Sequence, residues 1–538
     1  MRDVKGLGKV AADPGLETTT ELELKLAVAP ADAARLADHP LLRALAGDRL
    51  PQQQRMQARY LDTADGLLAR AGMALRLRCE GDQWVQTFKT SSGAALALRS
   101  RGEWEQQVPE PKLDWIVLQR TPLARLDEFA RLPQTLQPIF AIDFQRRSWQ
   151  LKFKDGTRAI ASLDIGEIAC GIDDARRTEA ISEFELEFES GRPATVWKLA
   201  RDLCEGLTLL PLSASKGERG SALAGGQTAK PLKTRMPDLD PASDVHAALA
   251  LALGTPLAAL QHNLRQLDFA DPEFVHQARV ALRRMRSVLR AFDRLIKNRK
   301  LKRDLRQLAV PLKALGHTLG AARDADVFLS ETLGVIAKQL KSALPETAAD
   351  VESPIDRIAA DATKRQQAAH DAVRAWLAKP AYGRLLLSAE RLIFDSAHAQ
   401  PAEGKPLALQ LAKLLARQHQ KVQHAAIGLT RQSAAERHRL RIEVKRLRYL
   451  LDIALPLFAQ DGSEGYLVVL ESLQQRLGSL NDTSEAGLQM TKQRAAQILR
   501  NVWAAHERKR LNTDLPRVAR QLAALDLTVA PWHEAPPD

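Results

Sequence analysis

Glu21-Leu22-Glu23-Leu24-Lys25 decides how the first part of this chain folds. On a β-strand successive side chains point to opposite faces, so Glu21, Glu23 and Lys25 share one surface while Leu22, Leu24 and Leu26 share the other. Two carboxylates and an ammonium then face the same way. A single strand of this kind is read as a solvated face of mixed charge.

The same alternation returns further along. Leu75-Arg76-Leu77-Arg78 sets two guanidiniums on one face, and Thr87-Phe88-Lys89 adds an ammonium. Arg99 and Arg101 run into Glu103-Trp104-Glu105, again with a charge at every second position. Phe144-Gln145-Arg146, Ser162-Leu163-Asp164 and Glu183-Phe184-Glu185-Leu186-Glu187-Phe188 follow. The residues between the charges are largely apolar, so that face must be covered by other elements. An open sheet gains nothing from exposing so many like-sign neighbours. A sheet closed into a barrel, with charges inside and apolar residues outside under helices, forms a charged cavity. Acidic rows suit Mg²⁺ or Mn²⁺, which prefer carboxylate oxygens. Basic rows suit an oligophosphate. Both signs in one cavity describe metal-dependent phosphoryl chemistry.

Over roughly residues 17–224 these motifs resemble the CYTH family, the triphosphate tunnel metalloenzymes. Glu21, Glu23 and Lys25 match its opening Glu-x-Glu-x-Lys, and Tyr60-Leu61-Asp62-Thr63 matches its Tyr-x-Asp-Thr. Arg76, Arg78, Lys89 and the Arg-x-Glu-Trp-Glu of 101–105 follow in order. Asp164 stands where the family has a further metal-side acid, Glu183 and Glu185 on its late acidic strand, and Ser215-Lys216 with Arg219-Gly220 in its closing basic motif. The resemblance implies an α+β domain built on an eight-stranded antiparallel tunnel barrel that hydrolyses a triphosphate with Mg²⁺ or Mn²⁺. It also implies that Glu21, Glu23, Asp164, Glu183 and Glu185 hold metal, and that Lys25, Arg76, Arg78, Lys89, Arg146 and Lys216 hold phosphates. Lys25 is the candidate proton acceptor if neighbouring cations lower its pKa. Phe144-Gln145-Arg146-Arg147 departs from the Lys-x-Arg of some members, so either arginine can face inward, and Arg146 is the choice made here. Some members are adenylate cyclases and others thiamine triphosphatases, and the barrel residues do not separate these. Inorganic triphosphate is the expected substrate because only phosphates are plainly provided for.

After Gly220 the composition changes. Residues 225–241, with Gly225-Gly226, Pro231, Pro237 and Pro241, read as a linker. Beyond them the chain is rich in Ala, Leu, Arg and Gln with few glycines, which predicts an all-α helical bundle over 242–525. Two segments nearly repeat: His276-Gln-Ala-Arg279-Val-Ala-Leu-Arg283-Arg284-Met-Arg286 and His438-Arg-Leu-Arg441-Ile-Glu-Val-Lys445-Arg446-Leu-Arg448. Each is followed by a Leu-Gly pair read as a turn, Leu319-Gly320 and Leu477-Gly478, with acidic residues after it. Such a repeat implies an internal duplication. At about 100° per residue, His276, Arg279, Arg283, Arg286 and Arg290 line one stripe, and His438, Arg441, Lys445 and Arg448 line another. Like charges at i and i+4 cost about 0.2–0.5 kcal/mol a pair, so a stripe kept twice points to an anionic ligand. The duplicated unit resembles the CHAD domain, a helical module. That resemblance implies inorganic polyphosphate, held without catalysis in a basic groove by these residues and Arg446.

The 538 residues suit two large domains, and the net charge of +13 calls for a polyanionic partner. Aromatics make up 5% of the chain and the basic helices carry only Tyr449, which weighs against single-stranded nucleic acid. Duplex binding through phosphates alone stays open, as does a catalytically idle polyphosphate scaffold. Cys79, Cys170 and Cys204 lie apart with no metal spacing, and an odd number suits a reducing compartment. The start lacks the apolar core of a signal peptide, and no apolar run reaches spanning length. A cytoplasmic protein that makes no membrane contact and associates with polyphosphate granules is the expectation.

Overall fold

A computed structural model describes residues 22–534 apart from 82, 91–97, 100–101, 172, 227, 336, 339–347, 402–405, 459–462, 493–496 and 529. Contacts divide the chain into two units. One runs to Ala229 and takes in Ala378–Glu390; the other comprises Lys230–Leu377 and the chain from Arg391 onward.

The first unit is built on an antiparallel sheet of ten strands: β1 (Leu22–Val28), β2 (Gln52–Asp62), β3 (Met73–Glu80), β4 (Gln83–Thr90), β5 (Leu98–Arg99), β6 (Glu103–Val108), β7 (Gln137–Lys152), β8 (Arg158–Cys170), β9 (Arg177–Ser190) and β10 (Leu209–Pro211). Nine of them form the path β10-β1-β9-β8-β7-β2-β3-β4-β6. The antiparallel, tunnel-like α+β domain expected from sequence is present; in detail, among the described residues no ladder joins the two ends of that path, so the sheet is an open path with added strands and not a closed eight-stranded barrel. The reasons are local. β10 adds itself to β1 at Leu26–Val28, and the two-residue β5, just ahead of β6 in the chain, pairs with β1 through Glu23 and Leu24.

Burial follows the period-two pattern on most strands. Leu24 and Leu26 of β1 and Phe184 and Leu186 of β9 are fully buried on the face opposite the charges. Val196 and Trp197 of a helix at Pro193–Leu203 are buried beside this face. On β3 and β4, Leu75 and Phe88 join Leu118, Leu123 and Leu132 of the 109–136 connection in a second apolar cluster. β2 and β7 depart from the pattern. There Met56, Ala58, Tyr60, Ile142 and Phe144 turn apolar surface into the concave side of the sheet.

The second unit is helical. Its long helices are α1 (Val245–Arg265), α2 (Pro272–Leu295), α3 (Arg299–Val327), α4 (Ala348–Leu377), α5 (Leu407–Ala426), α6 (Ala434–Ala454), α7 (Ser463–Lys492) and α8 (Gln497–Leu527). α1 packs on α2, α2 on α3 and α3 on α4; α5 packs on α6, α6 on α7 and α7 on α8; and α2 meets α6. The same serial packing occurs twice, with the His/Arg helix second in each set. Leu319-Gly320 and Leu477-Gly478 are not turns, as the sequence suggested, but lie inside α3 and α7. Glycine alone cannot break a helix that tertiary packing holds on both sides. Among the described residues no helix is long and apolar enough to cross a membrane.

Candidate functional site

The concave side of the sheet encloses a cavity of about 580 Å³. Strand register brings the charged rows together across it. Glu23 lies opposite Glu187 and Lys25 opposite Glu185 on the β1–β9 ladder; Asp164 lies opposite Glu183 on β8–β9 and opposite Arg146 on β7–β8. On the other wall Arg76 and Arg78 of β3 and Lys89 of β4 face Glu103 and Glu105 of β6.

Lys216 comes from outside the sheet. It opens a helix at Lys216–Ala224 whose start is fixed by a capping box, in which Glu218 N–H donates to Ser215 Oγ at 3.2 Å and Ser215 N–H to Glu218 Oε2 at 2.7 Å. Two glycines let that helix approach closely. A Cβ at Gly220 would overlap the Phe140 ring, and one at Gly217 would stand 2.9 Å from the Tyr60 ring. The Lys216 ammonium thereby reaches Asp164 at 2.8 Å, Glu183 at 2.7 Å and Glu185 at 2.8 Å. Arg146 donates from Nε to Asp164 at 2.8 Å and from Nη2 to Glu185 at 2.6 Å. Lys25 sits 2.9 Å from Glu23 and 3.1 Å from Glu185. Arg219 pairs with Glu179 at 2.7 Å and also with Glu183.

These contacts set the electrostatics. Burial opposes ionisation of Glu185, but Lys216, Lys25 and Arg146 outweigh it and hold the carboxyl well below the usual range. Burial raises Glu23, and repulsion from Glu185 adds to it against the pull of Lys25. Burial would lower Lys25, yet Glu185 and Glu23 overcome it and its pKa is raised. The expectation that neighbouring cations would make Lys25 a base is therefore corrected: its nearest partners are carboxylates. Lys89 is the tunnel lysine whose pKa falls, through burial and then Arg76. Burial raises the Tyr60 phenol, but Arg76, Lys89 and Lys216 bring it below its ordinary value.

The predicted residues do not all stand alike. Glu23, Lys25, Arg76, Arg78, Lys89, Arg146, Glu185 and Lys216 line the cavity. Asp164 and Glu183 are 0% and 1% exposed and lie behind Arg146 and Lys216. Glu21 and Arg101 lie outside the described residues. Arg146 faces the cavity, while Arg147 sits with its guanidinium 5.2 Å from the Trp149 ring centre. Sequence reasoning left Glu103, Glu105, Glu187 and Tyr60 without a role, though all line the cavity. Glu187 shares the parity of the assigned Glu183 and Glu185, and Glu103 and Glu105 share one parity on β6; that alternation was the available signal.

Among the described residues no three His, Cys, Asp or Glu side chains already surround one point. The donor chemistry nevertheless suits a hard divalent cation: Glu23 and Glu185 repel each other across the cavity wall, and both offer carboxylate oxygen.

In the helical unit some cations of α2 and α6 approach one another. Arg283 lies 5.4 Å from the centre of the Tyr449 ring, Arg290 feels the charge of Arg446, and Arg284 feels that of Arg448. Arg279 donates to the Gly320 carbonyl at 2.7 Å and stands 3.2 Å from Asp324. Gly478 occupies the corresponding place under Arg441, where a Cβ would be 3.6 Å from Nη2. Arg286 likewise lies over Gly316 of α3. Arg448 pairs with Glu471 at 2.9 Å, and Arg446 with Glu443. Burial lowers the pKa of His276, and Arg323 adds to it. On α6 His438 lies one turn before Arg441, and Lys445 lies one turn from both Arg441 and Arg448.

Residues 19–221 match the model of the CYTH domain, and residues 251–489 that of the CHAD domain. A curated relative, an inorganic triphosphatase of Haemophilus influenzae, is 31% identical over 210 residues, which are 38% of this chain and 56% of that protein. The chain thus matches little more than half the length of that relative. Among solved structures, the CHAD domain from the plant Ricinus communis is 28% identical, covers 55% of this chain and 97% of its own, and has a TM-score of 0.45. A Hippeastrum protein described with a dominant triphosphatase activity is 19% identical over 38% of this chain and 96% of its own, with a TM-score of 0.27.

Proposed function

We infer, for a chain that joins a CYTH domain to a CHAD domain, that the sheet unit hydrolyses inorganic triphosphate with Mg²⁺ or Mn²⁺ and that the helical unit binds inorganic polyphosphate. The observation that carries the first part is one cavity lined by Glu23, Glu185 and Glu187 together with Lys25, Arg76, Arg78, Lys89, Arg146 and Lys216. Carboxylates have little use in a pure polyanion receptor unless metal bridges them. Glu23, Glu185 and Glu187 would hold the cation, with Glu21 two residues before Glu23 in sequence. When bound, such an ion neutralises phosphate oxygens and lowers the pKa of a coordinated water.

The chain's own residues do the rest. Arg76, Arg78 and Lys89 on one wall and Arg146 and Lys216 on the other offer donors to the phosphate oxygens, and they offset the charge that builds as the terminal anhydride bond breaks. Lys25, kept protonated by Glu23 and Glu185, serves as a phosphate donor rather than a base. Asp164 and Glu183 hold Lys216 and Arg146 in place from behind. The supporting observation for the helical unit is the approach of α2 and α6 cations to one another, Arg290 to Arg446 and Arg284 to Arg448, beside the carboxylates of Glu443, Glu471 and Asp452, a set of donors that a polyanion would use.

Phosphate release from tripolyphosphate, thiamine triphosphate, ATP and long-chain polyphosphate, each with Mg²⁺, Mn²⁺ or EDTA, tests the first part. Metal-dependent release chiefly from tripolyphosphate is expected. Preference for ATP or thiamine triphosphate would change the substrate, and no release from any would leave a binding protein.

A further inference from the structure

Glu103 and Glu105 take no part in holding phosphate or metal in the scheme above, yet they point into the tunnel. Glu103 lies 2.5 Å from Lys89 and 3.5 Å from Arg76. Glu105 lies 3.4 Å from Arg76 and 3.2 Å from Arg78, and accepts from Thr87 Oγ1 at 2.9 Å. The β4–β6 register places Lys89 opposite Glu103 and Thr87 opposite Glu105, so these contacts are built into the ladder. The Glu103 side chain is 9% exposed and that of Arg76 15%, which leaves little water to screen the pair. Three of the tunnel's phosphate donors therefore carry a carboxylate partner.

A site shaped only for tight binding gains nothing from anions laid on its donors. Each phosphate oxygen must displace or share a carboxylate that is already bonded. Two effects follow. The cations are held in orientation before any ligand arrives. The affinity for every phosphate species is also lowered, products included, and product release is a common limit on turnover. We propose that Glu103 and Glu105 are internal counter-anions that compete with phosphate for Lys89, Arg76 and Arg78, and thereby speed the departure of orthophosphate and pyrophosphate. This rests on the triphosphatase reading of the tunnel.

The test uses the full chain with Glu105→Gln and, separately, Glu103→Gln. Calorimetric titration with tripolyphosphate and with pyrophosphate in EDTA follows binding without turnover. Both substitutions lie on β6, so a changed isotherm belongs to the tunnel. Binding tighter by about tenfold is expected, from the loss of one charge-assisted contact. With metal present, KM and kcat should both fall, and orthophosphate should inhibit at lower concentration. Unchanged or weaker binding in EDTA would overturn the proposal and make the two acids supports for the cations. Activity restored by excess metal, with binding in EDTA unaltered, would make them metal ligands instead. The Glu105 side chain is 40% exposed and Gln is its isostere, so that variant carries the test if Glu103→Gln does not fold. If the wild type released no phosphate while the variants still bound more tightly, the triphosphatase reading would fall and the counter-anion role would stand.

Discussion

The Lys216 ammonium and the Glu183 carboxylate lie 2.7 Å apart with only 11% and 1% of their side chains exposed, so no ion reaches Glu183 unless Lys216 moves. Glu183, expected from sequence to bind metal, lies against this lysine. Lys216→Met should leave Asp164, Glu183 and Glu185 with one fewer cation among them. Breaking a buried pair from one side costs about 3–5 kcal/mol. The melting temperature should drop and turnover should vanish; a variant that melts like the wild type would show that the pair does not hold the site together.

Glu23→Gln should abolish or strongly reduce metal-dependent phosphate release while the protein stays folded, because its half-buried carboxylate is repelled by Glu185 and its partner Lys25 keeps Glu185 as a second contact. Isothermal titration with Mn²⁺ should show weaker metal binding by about tenfold or more. Metal affinity equal to that of the wild type would move the metal away from β1.

Arg279→Glu combined with Arg441→Glu reverses one cation in each helical copy. Polyphosphate retention at matched salt should weaken by about tenfold or more, since charge-assisted contacts are lost at both sites. Tripolyphosphate turnover should be unchanged. A parallel loss of DNA binding, with equal initial affinity for the two polymers, would favour a general polyanion surface.

His276 gives a pH prediction. Burial and Arg323 hold its folded pKa below the unfolded value. The unfolded chain therefore takes up the proton first, and the stability that the neutral ring contributes is present above the unfolded pKa and is lost as pH falls through it toward the folded pKa. Thermal melts between pH 7.5 and 5.5 should show a smaller loss in His276→Gln than in the wild type. Equal slopes would place the sensitivity elsewhere.

Much of the tunnel was legible because strands repeat every two residues. Glu23, Lys25, Arg76, Arg78 and Glu185 fall on one face by parity alone, and the structure places them on one cavity. Parity says nothing of depth, which is why Asp164 and Glu183 were grouped with residues that reach the cavity. Tyr60 was noted in a motif but given no place in the cavity, because β2 turns an apolar face inward, against the rule read from the other strands. Lys25 was a candidate base only if the cavity's cations lowered its pKa, and Glu185 across the β1–β9 ladder and Glu23 on its own strand act in the other direction. In the helical half the duplication was visible, but Leu319-Gly320 and Leu477-Gly478 were taken for turns. The glycines are there because Arg279 and Arg441 lie against them, a contact between residues some forty positions apart that no local pattern encodes.

Among the described residues, the lining of the tunnel contains six acidic residues, Glu23, Glu103, Glu105, Glu185, Glu187 and Glu218, and six basic ones, Lys25, Arg76, Arg78, Lys89, Arg146 and Lys216. A balanced wall casts almost no field beyond its mouth. It cannot gather anions from a distance as an electropositive funnel does, and a triphosphate must find it by unguided collision. The capture rate, read as kcat/KM, should then stay nearly flat as ionic strength rises, even though the chain as a whole carries a charge of +13. Selectivity in such a passage comes only after entry, when contacts a few ångströms long replace long-range attraction.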